Sequence, residues 1–302
     1  IRFYIVMKNL LDYSNNIFSQ NGEDGIISHI LHLISQNSSL DNHCVEFGAW
    51  DGIFLSNTFH LVKTLNYRGL YIESSTPRFK SLVHNMKNYD TICLNRFVGI
   101  QEHDNLDIIL TEVGFPYNFD VLSVDIDGCD YHIIQSLTQY RPKIVVVEYN
   151  PLIPNEVHYV QSCDYDVNQG SSILAFQQLG SRMSYTLVAA TKTNAILVDS
   201  KYVTPDWNIS SDLQALRPDQ DEKIYVCFGF DGTLLFSKNI IYYPWLNLTF
   251  RSEDFQSIPF YLRKYYRTFF LRLILAIYLA IFRPHSISRI GISPAMRWIF
   301  RK

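Results

Sequence analysis

The chain has 302 residues, of which 47% are apolar, and this composition excludes a disordered protein and allows a sizeable core. Its 26 basic and 29 acidic residues give a formal net charge of −3, without the basic surplus typical of proteins that bind nucleic acid. The five cysteines form no Cys-x-x-Cys pair, which argues against a zinc site or a disulfide framework and favours reduced packing residues in a cytoplasmic protein.

The first half of the chain predicts helices that alternate with strands. A helix is expected over 19–36, with Ser19 as its N-cap and apolar residues at helical spacing. Continuous apolar runs then predict strands buried on both faces, as in a parallel sheet covered by helices. The predicted strands are 43–47, 69–73, 91–98, 119–125 and 143–148, and the predicted helices between them are 55–65, 77–87, 104–113 and 130–138.

An irregular segment and an antiparallel pair follow. Prolines and many polar or aromatic side chains over 149–169 predict a loop that covers a site. A helix is expected from Gly170 to about residue 181, and two strands, 185–190 and 194–198, are expected around a tight turn at Lys192 and Thr193. The predicted fold class is therefore α/β.

A glycine turn follows the first predicted strand, where Gly48 and Gly52 come directly after an apolar run that contains Glu46. Glycine adopts positive φ and lets a ligand approach the backbone without a Cβ in the way. Glu73 ends the next strand, 21 residues after Gly52, and an acid at that place suits the two hydroxyls of a ribose. This spacing predicts a nucleotide-like ligand.

Acidic residues occur at the ends of four predicted strands. In open parallel sheets, ligands bind beyond the carboxyl ends of the strands. The sequence therefore predicts one crevice surrounded by four carboxylates, which belong to Glu46, Glu73, Asp125 and Glu148.

With these motifs, the chain resembles the FkbM-like type of class I S-adenosylmethionine-dependent methyltransferases. The resemblance covers about residues 17–200 and is carried by four segments in order. They are Ser19-Gln20-Asn21-Gly22-Glu23-Asp24-Gly25-Ile26-Ile27, Val45-Glu46-Phe47-Gly48-Ala49-Trp50-Asp51-Gly52, Val124-Asp125-Ile126-Asp127-Gly128 and Val147-Glu148-Tyr149-Asn150-Pro151. Two departures are that Asp127 stands where many relatives have Glu, and that Trp50-Asp51 stands where an Asn is common.

The resemblance implies a Rossmann-like, seven-stranded methyltransferase sheet that is parallel except for an antiparallel closing strand, with helices on both faces. It also implies S-adenosylmethionine as the cofactor. By resemblance and position, the cofactor-binding residues are expected to be Gln20, Asp24, Glu46, Gly48, Ala49, Asp51, Gly52, Glu73, Ser74 and Asp125. Gln20 and Asp24 would reach the methionine end of the cofactor, although capping of the leading helix is an alternative role for both.

Methyl transfer to a hydroxyl needs a base that removes the acceptor proton. The catalytic candidates are Asp125, Asp127, Glu148 and His158, with His132 as a further candidate. Adjacent carboxylates raise one another's pKa, or they bind Mg²⁺, for which Asp125 and Asp127 are the candidate ligands. A calcium loop is rejected because Ser136 occupies the position where such a loop carries Glu.

The expected function is O-methylation of a saccharide or glycolipid hydroxyl, with a small molecule or glycan as acceptor and no nucleic-acid partner. One alternative is an NAD-dependent enzyme, although the turn lacks the second glycine of G-x-G-x-x-G. Another is a non-catalytic, membrane-bound binding or scaffold protein that keeps the fold.

The expected domains are a methyltransferase domain over 1–200, a small β-rich extension over 201–255 and a basic, apolar helical tail over 256–302. In the extension, Gly229-Phe230-Asp231-Gly232 between the apolar runs 223–228 and 233–236 predicts a hairpin.

The tail holds nine of the 26 basic residues and no acid. Its apolar run over 268–282 is shorter than the roughly 20 residues of a membrane span, but basic flanks suit a helix lying on an anionic membrane. We therefore expect peripheral membrane contact through residues 263–302, and a helix packed on its own domain or on a partner subunit is the alternative. No basic-then-apolar leader follows Ile1, so the expected location is cytoplasmic, at the inner face of a membrane. The sequence does not indicate the oligomeric state.

Overall fold

The structure is a computed structural model, and it describes residues 9–217, 224–230, 232–243, 247–263 and 269–282. The chain divides into two compact units, Ile1–Lys223 and Ile224–Lys302. Each unit is described by itself.

The first unit is built on a seven-stranded sheet whose strands follow the order β3-β2-β1-β4-β5-β7-β6. The first five strands are parallel, whereas β7 pairs antiparallel with both β5 and β6. This arrangement confirms the expected Rossmann-like sheet with one antiparallel closing strand. The strands are β1 His43–Phe47, β2 Arg68–Ile72, β3 Thr91–Leu94, β4 Val121–Val124, β5 Ile144–Glu148, β6 Tyr185–Ala190 and β7 Asn194–Asp199.

Helices cover both faces of this sheet, as the continuous apolar runs predicted. One face packs on side chains of α1, α2 and α3, and the other packs on α4, α5 and α6. The helices are α1 Glu23–Ser35, α2 Phe59–Leu65, α3 Thr76–Met86, α4 Leu106–Glu112, α5 Asp130–Ser136, α6 Ile173–Arg182 and the short α7 Leu213–Leu216. Within β1, Val45 faces one core and Cys44 the other, and both are fully buried.

The leading helix begins later than expected, at Glu23, with Gly22 rather than Ser19 at the N-cap. The physical reason is Asp24, whose Oδ2 accepts hydrogen bonds from the backbone N–H groups of residues 17, 18 and 19 and holds them in a turn. The Ser19 hydroxyl in return accepts from the N–H of Asp24. Ser19 thus satisfies a donor in the first helical turn from outside the helix.

Residues 201–217, which follow β7, belong to the first unit and pack into its two cores. Leu213 and Leu216 join one core, and Trp207 joins the other. The Arg217 guanidinium donates to the carbonyl oxygens of Pro151 and Ile153. The division between the two units therefore falls after these residues.

The second unit contains two antiparallel pairs. The pair β8 Val226–Phe228 and β9 Leu234–Phe236 is the hairpin that the sequence predicted. The pair β10 Ile240–Tyr243 and β11 Leu248–Arg251 was not predicted.

Two helices follow in this unit, α8 Phe260–Arg263 and α9 Phe269–Phe282. Of the nine basic residues of the tail, Arg263 is 5% exposed and its guanidinium pairs with Glu253 at 2.7 Å, so it does not present a free charge. The other predicted tail bases, except Arg272 in α9, lie outside the described residues. Within the described ranges, every helix is too short or too polar to cross a membrane.

Candidate functional site

The parallel strands β1, β2, β4 and β5 end at the same edge of the sheet, and the candidate residues collect there. The turn after β1 lies against β2, because the N–H groups of Gly48 and Ala49 both donate to the carbonyl oxygen of Ile72. Gly48 has φ +77°, and a Cβ built on it would lie 1.8 Å from the carbonyl oxygen of Asp125 at the end of β4. Only glycine therefore fits between the two strand ends.

Other residues of this turn have structural contacts. The Asp51 carboxylate accepts from the N–H groups of Ile53 and Phe54, and Ala49 is buried. Gly52 has φ +79° and faces the side chains of α3. The turn is thus held by hydrogen bonds to the Asp51 side chain and by packing against α3.

Glu73 lies at the end of β2, where the sequence placed it, and is buried. One carboxylate oxygen accepts from the N–H of Trp50 at 2.9 Å and the other accepts from the N–H of Ser75 at 2.7 Å. A carboxylate has about four acceptor positions, so each oxygen can still accept a ribose hydroxyl. The neighbouring Ser74 is exposed, and its carbonyl oxygen accepts from Asn95.

Glu46 is buried and is engaged by the segment before α2. Its Oε2 accepts from the hydroxyls of Ser56 and Thr58 and from the N–H of Thr58. Burial raises the pKa of Glu46 to about 7, although these hydrogen bonds oppose the rise. Glu46 therefore holds the segment before α2 against β1, and its Oε2 is committed to that segment.

The carboxylates of Asp125, Asp127 and Glu148 form a group that we call the carboxylate cluster. One oxygen from each lies within 4.8 Å of the others. Burial raises the pKa of Asp125 and of Glu148, and the neighbouring carboxylates raise both further. Crowded negative charges share protons. The cluster also offers three hard oxygen ligands, the type that Mg²⁺ prefers.

Asp130 supports the loop that carries the cluster, and the sequence did not single it out as a site residue. It is buried at the start of α5, and its carboxylate accepts from the N–H groups of Ile126 and Gly128. Burial raises the pKa of Asp130 to about 6. Its signal in the sequence was an acid in the first turn of a helix that directly follows Asp-x-Asp-Gly.

Asp24 and Gln20, the two residues expected at the methionine end of the cofactor, differ in burial. Asp24 is buried, and while its Oδ2 takes three N–H groups, its Oδ1 has no hydrogen-bond partner among the described residues. Such an atom suits a donor on a ligand. Gln20 is exposed, and the hydrogen bond at this residue goes from the Asn16 side chain to its backbone oxygen.

Glu23 connects the leading helix to the β6–β7 turn, a role that was not predicted from the sequence. Its Oε1 accepts from Thr191 and Asn194 at the turn between β6 and β7. Asn194 is the register partner of Glu148 in the neighbouring strand. Glu23 therefore anchors the leading helix beside the carboxylate cluster, and its partners, about 170 residues away in the chain, gave no local signal.

Neither histidine joins the cluster. His158 is exposed, and within the described part of the chain it makes no hydrogen bond to a carboxylate. The His132 Nε2 pairs with the carbonyl oxygen of Gln161. Their roles as bases are therefore not supported by the geometry, which favours the carboxylates.

The segment 149–172 forms the irregular loop that the sequence predicted, and part of it packs on the loop of the cluster. Gln161 is 1% exposed, and its Oε1 accepts from the N–H groups of Gln169 and Gly170. Its Nε2 donates to the carbonyl oxygen of Val167 and to the Cys129 sulfur. A Cβ on Gly128 would lie 2.8 Å from the Val167 oxygen, so the two loops are in close contact.

A separate apolar cavity of about 100 Å³ lies between α5 and α6. It is lined by Ile134, Phe176 and Leu197 among others, and none of the candidate residues lines it. The concave surface that matters for the candidate chemistry is the crevice at the strand ends.

No protein-family model matches the chain, and no curated protein matches it in sequence. Among solved structures, it is similar to the methyltransferase domain of the citrinin polyketide synthase, with 11% identity over 61% of this chain and a TM-score of 0.40. The match spans 55% of that domain's chain.

A protein assigned as an O-methyltransferase from Klebsiella pneumoniae is similar at 13% identity and a TM-score of 0.39, over 65% of this chain and 92% of the other. An O-methyltransferase family protein from Burkholderia thailandensis is similar at 8% identity and a TM-score of 0.36, over 59% and 57% of the two chains. Likeness this distant carries no argument about activity. The fold class of this chain rests on its strand order and on the antiparallel β7.

Proposed function

We propose that the protein is an S-adenosylmethionine-dependent methyltransferase of the FkbM-like type that methylates a hydroxyl group. The observation that carries the proposal is the carboxylate cluster, which lies beside a glycine turn at the carboxyl edge of the sheet. This edge is where open α/β sheets bind nucleotides.

The residues of the crevice fit the cofactor by number and type. Glu73 has free acceptor positions for the ribose hydroxyls, and Asp24 offers a buried oxygen that has no partner among the described residues. The cofactor, when bound, supplies a sulfonium-activated methyl group. The protein must hold the acceptor in line with that group and remove its proton.

Asp125 is our candidate for the base, because it exposes a larger share of its surface than Asp127 and Glu148, while burial of its carboxyl group among other acids raises its pKa to about 8. A carboxyl group with a raised pKa is better matched to proton transfer near neutral pH than an ordinary aspartate. Asp127 and Glu148 would share the proton that Asp125 receives.

We propose a saccharide or glycolipid as the acceptor, because of the FkbM-like motifs and because of one aromatic pair. Tyr165 lies in the loop that packs on Gly128, and its ring meets Phe97 edge to face at 4.8 Å. Both rings are exposed, at 39% and 51%. Exposed aromatic rings pack well on the apolar faces of ring-shaped ligands.

The test is methyl transfer from labelled S-adenosylmethionine to a panel of glycans and glycolipids. Asp125→Asn should lower turnover at saturating S-adenosylmethionine by about 10²–10⁴-fold, the usual contribution of a general base. The matched control is Asp206→Asn, which changes an exposed aspartate in the short turn Pro205–Trp207. Equal turnover of both variants would contradict the role of Asp125, and cofactor binding without any methylated acceptor would favour the scaffold alternative.

Binding of Mg²⁺ is a second proposed role for the cluster, and it is favoured because one oxygen of each carboxylate lies within 4.8 Å of the others. If the ion binds there, Mg²⁺ should raise the unfolding temperature of the parent chain through mass action, and Asp127→Asn should abolish the increase. An equal increase in the variant would remove this proposal.

Contact with a membrane is proposed for α9. Its side chains Phe270, Leu273, Ile277 and Ile281 are exposed and recur at helical spacing, whereas Leu275 is buried and the Tyr278 hydroxyl contacts the oxygen of Ser257. Among the described residues of this unit, one face of the helix is thus apolar and exposed.

Ile277→Glu combined with Ile281→Glu should abolish sedimentation of the full chain with vesicles of anionic phospholipid. Sedimentation that persists would contradict the proposal, since these changes place charges on the face that would enter the membrane.

A further inference from the structure

Trp50 and Asp127 have a left-handed backbone in the loops that follow two neighbouring strands of the sheet. Trp50, in the turn after β1, has φ +49°, and Asp127, in the loop after β4, has φ +63°. The strands β1 and β4 are neighbours in the sheet. This conformation is unfavourable for a bulky residue such as tryptophan, and such outliers concentrate at functional sites.

Arg78 connects these two residues. It lies in the first turn of α3, and its guanidinium carbon is 3.6 Å from the centre of the Trp50 ring. Burial raises the pKa of Asp127, and the positive charge of Arg78 opposes that rise, so the field of Arg78 reaches the loop after β4. Stacking on the indole ring orients the guanidinium plane and leaves its edge free.

The hydrogen-bonding capacity of Arg78 is unused within the part of the chain that the structure describes. The guanidinium has five N–H donors, yet it makes no hydrogen bond and no ion pair with a described carboxylate. Its charge acts on Asp127, and its guanidinium is held on the ring of Trp50, a residue that is 47% exposed. An oriented guanidinium edge of this kind matches a carboxylate or a phosphate in a bidentate manner.

We propose that Trp50 and Arg78 form an oxyanion-binding site at the mouth of the crevice, which receives a carboxylate or phosphate group of a molecule bound there. Its place in the reaction rests on the proposed function. The oxyanion has two chemical sources, the carboxylate at the methionine end of the cofactor or an acidic group on the acceptor. In the second case, Arg78 would select anionic acceptors and position their hydroxyl relative to Asp125.

The first experiment titrates the full chain with inorganic phosphate at constant ionic strength and follows indole fluorescence, with Trp50→Phe to assign the signal. We expect a saturable change that Arg78→Gln weakens at least tenfold and Arg78→Lys weakens less, because lysine keeps the charge but loses the fork. Lys80→Gln is the matched control, since it removes an exposed charge from the same helix. Absence of a saturable response in the parent chain, or equal responses in the parent and Arg78→Gln, would overturn the proposal.

The second experiment separates the two sources with S-adenosylhomocysteine, which has the carboxylate, and 5′-methylthioadenosine, which lacks it. If the oxyanion belongs to the cofactor, Arg78→Gln weakens binding of the first at least tenfold and leaves the second unchanged. If it belongs to the acceptor, both affinities are unchanged, and phosphate still binds when S-adenosylhomocysteine saturates the protein. If phosphate binding depends on Arg78 while neither nucleoside binds the parent chain, the oxyanion site stands and the proposed function fails.

Discussion

The carboxyl groups of Asp125, Asp127 and Glu148 bind protons more tightly than isolated carboxyl groups do. For each of them, burial among protein atoms is the largest cause of the raised pKa. As pH rises through these raised values, the cluster loses protons and gains negative charge. Binding of a cation at the carboxylate cluster then becomes more favourable.

This gain of negative charge predicts that a rise in pH strengthens binding of the cofactor more than binding of its demethylated product. S-adenosylmethionine should bind about tenfold more tightly at pH 9 than at pH 6.5, which corresponds to ~1.4 kcal/mol, because its sulfonium is attracted to the ionised cluster. S-adenosylhomocysteine has no sulfonium and should show a much smaller change. Calorimetric titrations at both pH values measure the difference, and Asp125→Asn should reduce it. Identical pH dependence for the two ligands would contradict a sulfonium site at the cluster.

Glu46 predicts a pH effect on folding. Its pKa is about 7 in the folded chain because of burial, above the value of an unfolded glutamate. Between about pH 4.5 and 7 the unfolded state therefore releases the proton first, and the folded state loses stability as pH rises, by on the order of 2–3 kcal/mol.

The variant Glu46→Gln has no such proton to lose. The difference in its free energy of unfolding between pH 5 and pH 8, measured with urea, should be smaller than that of the parent chain. A parent chain and variant with the same pH dependence would show that Glu46 titrates normally in the folded state.

At the level of residues, the position of Glu73, Asp125 and Glu148 at strand ends could be predicted, since parallel strands bring their carboxyl ends to one edge, and their roles in a site stay predictions. The roles of Asp24 and Glu23 could not be predicted in the same way. Asp24 is committed to N–H groups of a turn that forms only in the folded chain, and Glu23 meets Asn194 from a distant part of the sequence. The role of Asp130 was easier to predict, because the N–H groups from which its carboxylate accepts belong to residues only two and four positions away.

Among the elements, the turn between β1 and α2 allows the sharpest test. Gly48→Ala should place a Cβ 1.8 Å from the Asp125 oxygen at a residue whose φ is already positive. We expect a loss of about 3 kcal/mol or more in the free energy of unfolding, together with loss of nucleoside binding.

Gly114→Ala is a matched control for this change. Gly114 has φ +64°, but a Cβ there would meet nothing within 4 Å. It should cost only about 1 kcal/mol, the cost of the backbone conformation itself. Equal losses for the two variants in urea unfolding would show that the contact with Asp125 has no energetic weight.

The strands of the sheet were predictable within a few residues because their apolar runs are continuous and their ends are marked by acids and glycines. The start of α1 could not be predicted in this way. The Asp24 side chain of the helix accepts hydrogen bonds from the N–H groups of residues 17–19 and so holds them in a turn outside the helix. The pair β10 and β11 was also missed. Only Ile241 of these two strands is buried, so their sequence lacks the apolar alternation that indicates a strand.

At the scale of the whole molecule, the contacts of 201–217 decide where the first unit ends. A fragment that ends at residue 223 keeps Trp207, Leu213 and Leu216 in the two cores, whereas one that ends at residue 200 loses all three. Each fully buried apolar side chain contributes about 1.5–3 kcal/mol. The shorter fragment should therefore unfold at a clearly lower urea concentration. Equal midpoints for the two fragments would contradict the packing of this segment on the sheet.

The central claim concerns the crevice at the carboxyl edge of the sheet, and calorimetric titration of the full chain tests it most directly. We expect saturable binding of S-adenosylmethionine at one site per chain, no comparable binding of NAD, and at least a tenfold loss of affinity in Glu73→Gln, which weakens an acceptor of the ribose hydroxyls. Binding of NAD in preference to S-adenosylmethionine, or an affinity for S-adenosylmethionine that is the same in Glu73→Gln and the parent chain, would contradict the claim.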